Sequence, residues 1–363
     1  MSELAPSTKK EDTGTFEALT GRDPLDELAD TQRRKITEMR LNKKLGWGSL
    51  PSLTTRRSGD ANPGSGPAEM MIRLGATFGT LGRSEHAVEF YQQALDGFRQ
   101  SNDREGEATT LSSLAKAYWQ QQEPDQAIKT FEIAAELYHV LNQPRGEATA
   151  LNCIGLVHDQ QGDLAAALGY YEQALAILWD AGDKLGEANT LDVIGLTQRR
   201  MGLCKDALKS HKLALEIRLN EKDKMGEASS RHAMAMVYED MREDEKAICF
   251  YEWALRIRRE VLDRPGEAIT AYNLAKLYVK KNLLCEAEEL MARTVEIEAL
   301  IEHPDLAQDE IELGELRAKR RAAGLPNPTG DSTGKYPKVV LPIETEPAVP
   351  EGATVRNRPI TRH

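Results

Sequence analysis

The sequence predicts an all-α chain: an α-solenoid of six helical hairpins, a C-terminal capping helix and flexible termini. Three observations predict it. Gly-Glu-Ala recurs at Gly106, Gly146, Gly186, Gly226 and Gly266, each time forty residues on. Ala87, Ala127, Ala167, Ala207, Ala247 and Ala287 fall in one column of the same period, with no insertion from Gly66 to Asp305. Small and ring-bearing residues around both columns recur at helical spacing. A strict period of this length marks a supersecondary unit stacked on copies of itself.

Residues 1–65 are read as an N-terminal extension. Asp23 and Pro24 open a predicted helix over 23–45, charged on nearly all sides, and a Gly-, Ser- and Pro-rich linker follows. Trp47, Leu50 and Leu53 are large apolar residues on that linker. Two roles fit them: local packing on the first repeat, or a docking motif.

Residues 66–305 hold six units of forty residues. In the first helix of each unit an apolar–small pair recurs: Leu74–Gly75, Leu114–Ala115, Ile154–Gly155, Ile194–Gly195, Met234–Ala235 and Leu274–Ala275. Three residues beyond the small one stands Phe78, Tyr118, His158, Gln198, Tyr238 or Tyr278. The second helix carries the alanine column, then Tyr91, Phe131, Tyr171, His211, Tyr251 and Met291, then Ala94, Ala134, Ala174, Ala214, Ala254 and Thr294. Small residues stand where two backbones approach, so each unit reads as an antiparallel hairpin. Gly82, Gly162, Gly202 and Asn282 share the column where a left-handed residue closes the first helix. Asp103, Asp183, Asp223 and Asp263 precede their Gly-Glu-Ala by three residues and cap a helix start, while Pro144 and Pro265 belong in a first turn. Gly-Glu-Ala therefore opens each first helix. Its Glu lies at the positive end of the helix dipole, its Ala faces inward, and its Gly is expected to pack closely beneath the preceding helix.

This spacing of small and aromatic positions resembles the tetratricopeptide repeat (TPR), in the lengthened forty-residue form of Pins-type scaffolds and kinesin light chains. The resemblance covers residues 66–305 and implies a protein–protein interaction array. Two departures stand out: the late-helix proline of the short repeat is missing, and Arg231 replaces the leucine found at Leu111, Leu151 and Leu191.

After Asp305, residues 306–323 read as a capping helix over the last apolar face. Residues 324–363, rich in Pro and Gly, read as a disordered tail.

Net charge is -11 and mean hydropathy -0.52, as expected of a soluble chain. Residues 61–316 carry 27 Lys/Arg against 44 Asp/Glu, a net charge of −17, whereas residues 317–363 carry 9 against 4, or +5. An acidic body repels phosphate backbones, so nucleic acid is excluded and a basic protein segment is the better complement. No signal-peptide pattern or membrane-length apolar run occurs, so a cytoplasmic protein without membrane insertion is expected. Four scattered cysteines, Cys153, Cys204, Cys249 and Cys285, suggest reduced thiols with neither disulfides nor a zinc site. Catalytic patterns are missing as well. Gly330–Lys335 falls one residue short of a phosphate loop, with Tyr336 in place of Ser/Thr. Glu239 and Asp240 occupy adjacent helical positions that point apart. His158 and His211 fall in aromatic columns, where core histidines are expected. The expectation is therefore a protein that is not an enzyme and carries no cofactor or metal.

Binding is expected on a second face of the first helices, offset by about 130° from the core columns at about 100° per residue. It carries positions 4, 7, 11 and 14 of each unit, counted from Gly66. Position 7 supplies Ser112, Asn152, Asp192, His232 and Tyr272; position 11 supplies Lys116 and Lys276; position 14 supplies Trp119, Asp159, Arg199 and Glu239. These are expected to be exposed, with Trp119 and Tyr272 as anchors. The resemblance implies that this face lines a concave groove holding peptides, and that Asn273 grips a ligand backbone. The mixed signs do not match the Lys/Asn clamp by which some family members hold a carboxylate. Two functions follow: an adaptor that binds peptide segments in the groove, or a structural component of a larger, cytoskeletal or ciliary assembly held through its termini and outer faces.

Overall fold

The structure is a computed structural model, and it describes residues 66–328; the expected helix over 23–45, the linker, Trp47, Leu50 and Leu53, and residues 329–363 lie outside the described residues. Among the described residues there are thirteen helices and no strand. Each repeat contributes a first helix A and a second helix B. The A helices are α1 (Gly66–Thr80), α3 (Arg104–Gln120), α5 (Pro144–Gln161), α7 (Lys184–Arg200), α9 (Lys224–Asp240) and α11 (Arg264–Lys280). The B helices are α2 (Ser84–Gln100), α4 (Pro124–Val140), α6 (Leu164–Asp180), α8 (Cys204–Asn220), α10 (Asp244–Glu260) and α12 (Leu284–Leu300). α13 (Leu306–Ala322) packs on α12 as the sequence predicts of a cap. Every helix packs on its neighbour in sequence, and A helices of repeats 1 and 2, 3 and 4, and 4 and 5 also touch directly.

Helix boundaries follow from the capping chemistry. Asp103, Asp183, Asp223 and Asp263 each accept a hydrogen bond from the Gly-Glu-Ala glycine N–H, at 2.9, 3.2, 2.9 and 3.0 Å. Pro144 and Pro265 sit in first turns, and Pro124 does the same in α4. Gly82, Gly162, Gly202 and Asn282 have φ of 72°, 88°, 77° and 60°, as the turn column requires. The structure extends this conformation to Gln122 and Arg242, and to the turns between repeats at Asn102, Asn142, Gly182, Lys222, Leu262 and Glu302. A left-handed leucine costs about 1–2 kcal/mol. The exposed Leu262, at φ 58°, should therefore gain about 1 kcal/mol on Leu262→Gly, read as a higher urea midpoint.

The small columns are where helices touch. All six alanines from Ala87 to Ala287 are fully buried. Within a repeat, the small residue of the A helix lies under the ring column of the B helix. A Cβ added to Gly75, Gly155 or Gly195 would stand 2.7, 2.5 or 2.7 Å from Tyr91, Tyr171 or His211. The Gly-Glu-Ala glycine does the same between repeats. A Cβ at Gly106 or Gly146 would overlap the ring of Phe98 or Tyr138, and one at Gly186 would stand 2.7 Å from Leu178 Cδ2. In the last two junctions an added Cβ would meet the capping carboxylates of Asp223 and Asp263 first, and then Arg218 and Arg258. The recurring glycine thus has its reason: the last turn of the preceding B helix lies on it.

Residues 325–327 are not free at their start. Arg320, buried in α13, donates to the backbone oxygens of Leu325 and Pro326 and to Asn327 Oδ1 at 2.9, 2.6 and 2.7 Å, and pairs with Glu288. The segment predicted to be disordered from 324 is therefore held for its first residues. Cys153 is buried, which pushes its thiol up to about 11, while Cys204, Cys249 and Cys285 are half-buried and free.

Candidate functional site

In three successive junctions position 7 of an A helix faces position 5 of the next A helix, and the polar groups at these positions satisfy one another. Asn152 Nδ2 donates to Thr190 Oγ1 at 2.9 Å, and Ser230 Oγ donates to Asp192 Oδ2 at 2.9 Å. His232 Nδ1 lies 3.2 Å from Thr270 Oγ1, and two turns further along the helices Thr197 Oγ1 donates to Asp159 Oδ1 at 3.0 Å. A ladder of position-7 residues does run from repeat to repeat. Asn152, Asp192 and His232 are each held by a hydroxyl of the next A helix, because buried polar groups at a tight helix–helix junction must find partners there.

Asp192 is the most heavily engaged. His211 Nδ1 lies 2.7 Å from its carboxylate, Arg218 Nη1 lies 2.8 Å away, and Arg218 also reaches Asn189 Oδ1 and the carbonyl of Gly226. His211 is fully buried, as expected of a core histidine, and His158 stacks on Tyr170 with centroids 5.3 Å apart. One repeat later Asp192 is replaced by His232, and the buried Arg258 has only Asp263, 3.7 Å away, as its carboxylate partner. Burial pushes that guanidinium down to about 10, against the pull of Asp263.

The expectation that these side chains stand outside the core needs correction. Ser112, Asp159, His232 and Tyr272 are buried. Ser112 Oγ donates to the Ala108 carbonyl, Asp159 pairs with Arg200, and Tyr272 OH donates to Glu312 Oε2 of α13 at 3.0 Å. Trp119 is half-buried rather than an open anchor. Arg199 pairs with Asp240 of the next repeat. Glu239 accepts from Tyr251 OH at 3.3 Å, and burial raises its carboxyl above the usual range despite that bond. Asn273, half-buried, lies 3.4 Å from His232 Nε2, while Lys276 is exposed over the Tyr272 ring at 5.2 Å. Lys116 is half-buried near Cys153. The structure therefore brings the chosen residues together as rungs between helices, and most of their polar atoms are already occupied.

Two features of the face escaped the sequence reading. Between Lys116 and Lys276, position 11 is apolar in three consecutive repeats: Leu156 and Leu196 are half-buried and Met236 is buried. Beside this track, the side-chain oxygen Oδ1 of Asn152 is buried without a protein partner. The column was visible in the sequence. Attention to charged members of position 11 passed over the aliphatic ones.

Comparison with known proteins agrees with the fold. The Tetratricopeptide repeat family model matches residues 66–139, 106–180, 146–220 and 186–260. No curated protein sequence matches the chain. Among solved structures, the apo form of RapI is 14% identical, with a TM-score of 0.51, covering 77% of this chain and 97% of its own. A Rap protein complexed with competence and sporulation factor is 16% identical, with a TM-score of 0.50, covering 70% and 76%. BtubC from P. vanneervenii is 20% identical, with a TM-score of 0.49, covering 66% and 93%. These identities speak to the fold alone, but the family model repeats at overlapping forty-residue offsets over more than half of the sequence, in step with the helical hairpins, and the chain belongs to the tetratricopeptide repeat family.

Proposed function

We propose that this chain is a non-enzymatic adaptor that holds a peptide segment of a partner protein along the shared face of its A helices. Tetratricopeptide repeats are in general protein–protein interaction scaffolds. The observation that carries the finer reading is the position-11 track of Leu156, Leu196 and Met236, an apolar strip three repeats long bordered by amides and charges. Direct contacts between A helices support an inner position for this face. Apolar side chains of the partner would lie on the track. Asn273 and Lys276 would flank the C-terminal end. The acidic body favours a basic partner, and the cytoplasm is the proposed location. No helix among the described residues is long and apolar enough to cross a membrane.

Capture from native lysate by the full chain, compared with Leu156→Gln/Leu196→Gln, tests the reading. The double variant should keep its helical circular dichroism and bind a track-held partner about 1–3 kcal/mol more weakly, as expected for two truncated apolar contacts. If the same proteins are retained in equal amounts, the track is not the binding face.

A further inference from the structure

The edge where each B helix ends and the next A helix begins is ionic in most repeats. Arg99 Nε lies 2.8 Å from Glu107, His139 Nδ1 lies 3.1 Å from Glu147, and Arg259 Nε lies 3.0 Å from Glu267. The third and fourth repeats break this pattern. Trp179 and Leu219 stand where those cations do, 57% and 41% exposed. In the next row, where earlier junctions have Glu105 and Arg145, stand Leu185 and Met225, 44% and 59% exposed. Glu187 is left with Lys184 of its own first turn at 2.8 Å, and Glu227 pairs within its own helix, with Lys224 at 2.8 Å and Arg231 at 3.1 Å.

The four apolar side chains lie in register along one edge of the array. Lys184 Nζ lies 4.7 Å from the Trp179 ring, which brings the end of α6 against the start of α7. Arg145 reaches Asp183 across a junction, so the row of residues 145, 185 and 225 runs side by side from repeat to repeat. Stacked helices stand about 8–10 Å apart. Single exposed apolar residues are ordinary; four in register over two junctions, in place of an available ion pair, make a patch.

We propose that Trp179, Leu185, Leu219 and Met225 form a second docking surface, separate from the A-helix face, for an amphipathic protein segment that is apolar on one side and basic on the other. Charge decides the occupant. Exposed Asp180 and Glu221 border the patch, the neighbouring Lys184 and Lys224 are paired with Glu187 and Glu227, and residues 61–316 carry a net charge of −17. A second copy of this chain would bring the same acidic charge within a Debye length of about 8–10 Å, whereas a segment rich in Lys and Arg is attracted. The indole supplies the rigid anchor and the aliphatic side chains its apolar surround.

The test uses the full chain and a fluorescein-labelled amphipathic peptide with leucine on one helical face and lysine on the other, followed by anisotropy. Trp179→Gln/Leu219→Gln leaves the charge unchanged and touches only exposed positions, so its melting curve should match the parent's. Its affinity for the peptide should fall about tenfold or more. The Leu156→Gln/Leu196→Gln protein is the second arm: a loss of peptide binding there, with none in the Trp179/Leu219 variant, would place the peptide on the A-helix face and overturn the proposal. Equal binding by the Trp179/Leu219 variant overturns the proposal, as does equal binding of a leucine–glutamate counterpart. A dimer in sedimentation that the variant converts to monomer would assign the patch to a second copy and overturn it. A chain ending at residue 328 that binds the peptide tenfold more tightly would assign it to the chain's own tail, with the same consequence.

Discussion

Asp192→Ala is expected to lower the unfolding free energy of the array by about 3–5 kcal/mol, the cost of removing one partner from a buried ion network. The carboxylate takes Arg218 at 2.8 Å, His211 at 2.7 Å and Ser230 at 2.9 Å, and both basic side chains are at least nine-tenths buried. Without it, Arg218 keeps only neutral acceptors and Asp223, 3.9 Å from its Nε, while the His211 ring faces a cavity. Water entry or a local shift of α8 would recover part of the loss. Urea unfolding followed by circular dichroism measures the difference, with Asp180→Ala as the control. Asp180 is exposed on α6, so its removal should cost less than about 0.5 kcal/mol. A loss below about 1 kcal/mol at Asp192 would mean that the network does not hold the junction and that the carboxylate is free for a ligand. The result also bears on how binding can be probed. Charge reversal at Asp192 would damage the scaffold before it reported on a peptide, which is why Leu156 and Leu196 are the better probes.

How much of this was legible in the sequence differs between fold and site, and the reason is physical. The hairpins, the Asp caps, the glycine turns and the capping helix follow from local rules repeated six times, so one misread residue could not hide the pattern. Gln122, Arg242 and Leu262 were not legible as left-handed residues. Nothing in their side chains favours that conformation, and the packing of two helices at fixed separation imposes it. At the site, helical geometry named the face and put Asn152, Asp192 and His232 in one ladder. It could not say that each would be spent on the hydroxyl of Thr190, Ser230 or Thr270, because that depends on the distance between successive A helices. Position 5 of repeats 2 to 6, with Thr110, Ala150, Thr190, Ser230 and Thr270, was the available signal: small residues recurring two residues before the ladder mark a close helix–helix contact.

The Gly-Glu-Ala glycine supports the second large effect, a contrast in sign between two Gly→Ala changes in helices. At Gly146, in the first turn of α5, the added methyl would overlap the Tyr138 ring, which lies buried at the end of α4. At Gly169, inside α6, nothing lies within 4 Å of the added Cβ. Alanine in a helix interior is favoured over glycine by about 0.8–1 kcal/mol, through a smaller entropy loss on folding. Gly169→Ala should therefore stabilise by up to about 1 kcal/mol. Gly146→Ala receives less of that gain near a helix end and meets an overpacking cost of about 1–3 kcal/mol, since Tyr138 can leave the glycine only by pushing α4 from α5. The two variants should differ by about 2–4 kcal/mol in unfolding free energy, with urea midpoints displaced in opposite directions from the parent. Gly106→Ala, beneath Phe98, should behave like Gly146→Ala. The two sites lie in different repeats and share no partner, so the double variant should lose the sum of the two within about 0.5 kcal/mol. Three alanine variants equal to or above the parent in stability would show that the recurring glycine is not held by ring packing, and the account of the tripeptide would fail with it.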